Sequence, residues 1–277
     1  MLSKRLVQSA VVCVVLATGA TACGSSTGKS AAPAAPASTA PSVSTAPSAG
    51  AESTGAIGAL SGEQILEKAR GAMAGLTSVK LDGKVVIDGM TVAPQHLAVD
   101  RKENCAGSVV IAMQGEVEIL RSATGLWIKP DSAYWKTIAA KAGNPKAGPV
   151  MAQLFKGRYL AAQDDEALKG MVNRVCGLMD MFTQGDSKPT KVTKGGVLHE
   201  AKIETFGIRV ADESGTGYTD LNVATEGQPY VIWVDRYSAS DPGRMDFSDF
   251  NKPVTVTAPP ADSVIDYSVF QDKLKNS

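Results

Sequence analysis

Four cysteines, two histidines and a few acidic clusters are the residues of this 277-residue chain whose types and spacing bear on chemistry. Cys23 follows Ala20-Thr21-Ala22 and precedes Gly24-Ser25-Ser26. A cysteine placed directly after small residues is where a thiol becomes a thioether to diacylglycerol, so Cys23 is read as the lipid attachment point. An ordinary A-x-A cleavage site ahead of a cysteine is the alternative, because Ala20 stands where such motifs usually carry Leu. Cys13 lies upstream and leaves with the signal, so Cys105 and Cys176 remain. Outside the cytoplasm two such thiols read as one disulfide. Closing a loop of that length is worth roughly 4 kcal/mol in the chain-entropy account. Two separate buried thiols are the alternative, whereas a redox pair or zinc site lacks both a C-x-x-C spacing and a third soft ligand.

The remaining motifs point away from catalysis. His96 and His199 fall on strand patterns and read as structural or partly exposed. His199-Glu200-Ala201-Lys202-Ile203 lacks the second histidine of a zincin. Asp164-Asp165-Glu166 suits the positive end of a helix dipole, and Asp164 is expected to cap the helix that follows. Asp212-Glu213-Ser214-Gly215 is a turn and matches no complete calcium loop. No G-x-S-x-G elbow appears, and Gly24–Ser30 is one residue short of a phosphate loop and lacks the strand and helix around it. The expectation is a protein that is not an enzyme, with no cofactor and no metal.

Stepping outward, the first 22 residues carry Lys4-Arg5, a short apolar run around Val11–Ala17 and the small-residue site, which together form an export signal. No later apolar run approaches the ~18–20 residues of a spanning helix, so the membrane tie is the lipid at the outer face. Two or more acyl chains on one cysteine give stable anchoring. The 28 basic and 28 acidic side chains leave no basic surface for a phosphate backbone, which excludes nucleic acid as a partner. A monomer is expected. Residues 23–62 form a tether of Ala, Pro, Ser, Thr and Gly with Lys29 and Glu52 its only charges, too polar to bury a core. As a flexible coil it reaches roughly 30–35 Å.

Residues 63–277 are expected to form one domain. Ser61-Gly62-Glu63-Gln64 is a capping box, and Ile65, Ala69, Ala72, Met73 and Leu76 make one helical stripe. The period then changes to two at Val79, Leu81, Val85 and Ile87, with Asp88-Gly89 as a hairpin signal. Leu97-Val99-Arg101, Val109-Ile111-Met113, Val117-Ile119 and Gly125–Ile128 continue an antiparallel meander at roughly ten-residue spacing. Residues 131–185 interrupt it. Trp135 and Ile138 suggest a short helical turn, Pro149 starts a second helix, and Leu168, Met171, Val175, Leu178, Met179 and Phe182 stripe a third that ends at Gly185. Alternation resumes through Val197-His199-Ala201-Ile203, Phe206-Ile208-Val210, Leu221-Val223-Thr225, Val231-Trp233, Met245-Phe247 and Val254-Val256, and Pro259–Asp266 closes the fold. The fold class is α+β, a single curved antiparallel sheet with helices against one face. A Cys105–Cys176 bond staples the helical insert onto the second and third strands.

This order of elements resembles the LolA/LolB-type fold, and specifically the LppX/LprG-like lipoproteins of actinobacteria. The resemblance is carried by Ile65–Arg70 through Leu76–Gly83, by the helical insert with its cysteine, and by Phe247–Pro260. It implies an incomplete β-barrel wrapped around helices, with an acyl-chain-sized cavity between them, and a protein that binds or carries a lipid or acylated glycan. Met73, Leu76, Met151, Leu154, Met171, Val175, Met179 and Phe182 are the residues expected to line that cavity, and the helical insert is its gate. The rival reading is a cell-surface scaffold of the same fold with a filled core, since the same stripes fill an ordinary interior.

Overall fold

The computed structural model describes residues 57–87, 89–183, 191–200, 203–212 and 215–266. The expected signal, Cys23, nearly all of the expected tether, Asp88, Gly185, Ala201, Glu213-Ser214 and the residues from 267 onward lie outside the described residues.

The chain enters its fold before the first helix: Ile57 is buried and Leu60 packs on the core. Helix α1 (Gly62–Ala74) starts at the expected capping box, in which Gln64 N donates to Ser61 Oγ and Ser61 N donates to Gln64 Oε1 at 2.9 Å. Ile65, Leu66, Ala69 and Met73 are its buried face. Five strands follow as a meander: β1 (Ser78–Ile87), β2 (Met90–Asp100), β3 (Cys105–Ile111), β4 (Gly115–Ser122) and β5 (Gly125–Pro130). Their inward residues, among them Leu81, Val99, Val109 and Ile119, are wholly buried.

The alternation switches parity inside β2. Val92 faces in, then Leu97 and Val99 do, because an extra residue at His96 bulges the strand; pairing shifts there against both neighbours. His96 sits at φ 50, and its N–H donates to Asp82 Oδ1 at 2.7 Å. The bulge presses on β3 at Gly107 (φ 149), where a Cβ would lie 2.6 Å from Leu97 Cα. Met113, expected to extend the β3 pattern, instead sits in the β3–β4 turn at φ 59 and 94 % exposed.

The insert is more regular than the sequence suggests. The short turn expected at Trp135 is a helix, α2 (Ser132–Lys141), capped by Asp131, and Pro149 falls in the first turn of α3 (Ala147–Leu154). Trp135 and Phe155 stack at 4.6 Å beneath them. A three-residue strand, β6 (Tyr159–Ala161), follows and joins β5 antiparallel. Helix α4 (Glu166–Cys176) is capped by Asp165 and not by Asp164: Asp165 Oδ1 accepts from Ala167 N and Leu168 N. At Gly177 the helix tightens into a 3-10 segment, Gly177–Phe182.

A second meander completes the sheet: β7 (Val192–Glu200), β8 (Ile203–Ala211), β9 (Tyr218–Ala224), β10 (Val231–Tyr237) and β11 (Gly243–Ser248), with β12 (Val264–Asp266) parallel to β6. The strand order β12-β6-β5-β4-β3-β2-β1-β11-β10-β9-β8-β7 places β1 and β11 side by side at the junction of the two meanders. All neighbours are antiparallel except β6 and β12. The twelve-stranded sheet is open and does not close into a barrel. Val192, at the start of the edge strand β7, packs on the core, whereas Val197 and Leu198 further along it are about half exposed. Among the described residues no helix is long and apolar enough to cross a membrane.

Candidate functional site

The inner face of the second meander meets α1 along Phe206, Ile208 and Val223, which are buried. Toward Arg70 and Met73 of α1 that contact opens. A pocket of about 300 Å³ lies between α1, Met181-Phe182, the end of β1, and β9 to β11. Its wall is apolar, with Met73, Val85, Leu221, Val234, Met245 and Phe247 among the lining side chains. Alternation on each strand aims these residues the same way, and α1 supplies Met73 one turn after Arg70. Met73 Sδ accepts from Val231 N at 3.4 Å, and Phe182 meets Phe247 edge to face at 5.3 Å. The rim is polar and includes Arg70, Lys84, Thr219, Arg236 and Asp241.

A second hollow, of about 750 Å³, is polar. Asp100, Arg121, Lys169, Asn173 and Asp180 line it beside Cys176 and Met179. Its charges serve the fold. Arg101 donates to the carbonyls of Ala74 and Leu76 at 2.7 and 2.6 Å, closing the C-terminus of α1. Arg121 donates to Glu103 O at 2.8 Å and to Asn173 Oδ1 at 2.9 Å. Burial lowers the pKa of Arg121, against the pull of Glu103, Asp100 and Asp180. The arginines of this hollow are therefore engaged in holding the fold.

Cys105 and Cys176 form a disulfide across a 71-residue separation, with Cα atoms 5.9 Å apart. The bond ties the end of α4 to the start of β3, the staple expected for the insert.

The eight residues expected to line a cavity do not gather in one place. Met73 and Phe182 line the apolar pocket. Leu76 and Val175 are packed into the continuous core, and Met171 and Met151 lie partly buried against it. Met179 borders the polar hollow, and Leu154 is 49 % exposed at the end of α3. Strand residues supply most of the pocket wall, notably Leu221, Val234 and Met245. Their signal was the same period-two alternation that marks any half-buried strand, which does not say what lies opposite. The histidines stand outside the pocket: His96 Nδ1 is 3.1 Å from Asp82 Oδ1 with its side chain 81 % exposed, and His199 Nε2 is 3.8 Å from Glu204 Oε2. Among the described residues no three His, Cys, Asp or Glu side chains come together as metal ligands.

No known family model and no curated protein sequence matches the chain. Among solved structures it is similar to the lipoprotein LppX of Mycobacterium tuberculosis, at 13 % identity and a TM-score of 0.44 over 70 % of this chain and 97 % of that one. It is similar to LprF of Mycobacterium bovis at 14 % identity and a TM-score of 0.46, over 72 % and 97 %. MucB in the MucA/MucB complex of Pseudomonas aeruginosa is a more distant likeness, at 11 % identity and a TM-score of 0.31, over 73 % and 59 %. The fold described above rests on this chain's own strand pairing.

Proposed function

We propose that the protein is a lipid-anchored, extracytoplasmic, non-enzymatic carrier or receptor that holds an acyl chain in the pocket between α1, Phe182 and β9 to β11. The anchor is Cys23, and the residues after it form the tether that keeps the domain clear of the membrane. The observation that carries the reading is a hollow of about 300 Å³ walled by Met73, Leu221, Val234 and Met245 where helix and sheet fail to close on each other. That volume is at the lower end of ligand sites and suits one chain. Burial contributes ~0.8 kcal/mol per methylene, so ten methylenes gain ~8 kcal/mol before the losses of association. Met73 and Met245 add a wall that reshapes around an irregular guest.

Two measurements test it. Native mass spectrometry of the protein from its own host is expected to show co-purifying lipid of defined mass. Val234→Phe, which fills the hollow from its floor, is expected to abolish uptake of a fluorescent acyl probe without lowering the melting temperature. A ligand-free protein that also refuses the probe would instead be a scaffold with a filled core, a reading favoured by how tightly Leu76 and Val175 are packed.

A further inference from the structure

The pocket is apolar within and basic at its lip. Its charged lining residues are Arg70, Lys84, Arg236 and Arg244 against Asp241 alone. Pairing accounts for two of these cations. Arg236 Nε lies 2.9 Å from Asp241 Oδ1, and Arg244 Nη2 lies 2.8 Å from Asp246 and 2.7 Å from Glu200. Arg70 and Lys84 have no hydrogen-bond or ion-pair partner among the described residues. Lys84, opposite Arg244 in the β1–β11 register, lies on the face of the sheet away from Met245, which leaves Arg70 as the unpartnered cation at the pocket. Arg70 is half-buried on α1, one turn before the Met73 that walls the pocket. A cation beside an apolar hollow is costly to desolvate unless an anion joins it, and among the described residues no carboxylate pairs with Arg70. A ligand with an apolar tail and an anionic head would give Arg70 the partner it lacks among the described residues.

We infer that the pocket takes a single-chain amphiphile with an anionic head, its tail against Met73, Val234 and Met245 and its carboxylate or phosphate on Arg70. Guanidinium suits both heads, since it offers a planar pair of donors to two oxygens. The inference rests on the acyl-binding reading and narrows it from any acylated molecule to those with a charged head.

The test is equilibrium binding of decanoate, decyl phosphate and decanol to the full-length chain, followed by displacement of Nile red at low and high salt. Both anions are expected to bind about tenfold tighter than decanol at low salt, with the margin shrinking as salt screens it. Arg70→Gln is expected to bring the anions down to decanol's affinity and leave decanol unchanged. A preference for the phosphate assigns a lysophospholipid-like head, and a preference for the carboxylate assigns a fatty acid. Equal binding of all three by the unaltered chain overturns the charged-head inference but leaves acyl binding standing, as does a preference that survives the Arg70→Gln substitution. Failure of all three to displace Nile red from a chain that still melts cooperatively overturns both.

Discussion

Asn251 ties three parts of the fold with one side chain. Its Oδ1 accepts from Thr77 N at 2.8 Å and Thr77 Oγ1 at 3.0 Å, and its Nδ2 donates to Tyr230 Oη at 2.9 Å. It does so from φ 59, a left-handed conformation that asparagine tolerates and alanine resists. Asn251→Ala is therefore expected to lower stability by about 2 kcal/mol, seen as a lower urea midpoint at unchanged slope. Asp241 works at the pocket rim. Burial raises its pKa, but hydrogen bonds from Ser238 and Arg236 outweigh that and hold the carboxyl below its usual range. A carboxylate whose folded pKa is depressed contributes stability above its unfolded value of about 3.9, and loses it as pH falls through the folded value. Asp241→Asn should thus remove stability at neutral pH and flatten the acid limb of the stability curve, measured by denaturation between mildly acidic and strongly acidic buffers. The same change leaves Arg236 without its carboxylate, so decanoate affinity at neutral pH is expected to rise several-fold.

The β2 bulge shows what a local pattern does and does not carry. Val92 before it and Leu97 with Val99 after it are all inward, on opposite parities, and only the extra residue at His96 reconciles them. Gly107 is the partner that makes room: a side chain there would meet Leu97 Cα at 2.6 Å and His96 O at 2.7 Å, at φ 149. Gly107→Ala is expected to cost about 3 kcal/mol or more, whereas His96→Gly, at an exposed left-handed position, should be neutral or stabilising by about 0.5 kcal/mol. Opposite signs in two thermal melts would establish the bulge as the constraint. Elements held by short-range rules were legible: the capping box of α1 and the strands of the first meander follow from residues within ten positions of each other. Those set by distant partners were not. β6 is three residues long and is a strand only because β5 and β12 flank it. Asp164 and Asp165 are equivalent as sequence, and only the path of the chain into α4 makes Asp165 the cap. Val197 reads as the inward residue of a half-buried strand, yet it is about half exposed while Val192 on the same strand packs on the core.

At the scale of the whole molecule the sheet is two meanders joined along β1 and β11, with the disulfide in the first and the pocket in the second. The helical stripes were readable as apolar faces, yet a stripe does not reveal whether the surface it meets is complementary. Leu76 found a tight fit and Met73, one turn earlier, found a gap. The link between the two halves is the 3-10 segment Gly177–Phe182, which leaves Cys176 and delivers Met181 and Phe182 to the pocket. The disulfide fixes one end of that segment against β3, and Phe182 at its other end packs on Phe247. Replacing both Cys105 and Cys176 with serine is expected to cost about 4 kcal/mol of stability through the freed loop. If the segment gates the pocket, the same double substitution should also release a bound acyl probe several-fold faster in a stopped-flow chase, with a smaller change in the association rate. Release at the original rate from a less stable protein would mean that the bond holds the insert in place and has no part in opening the pocket, leaving α1 as the element that must move.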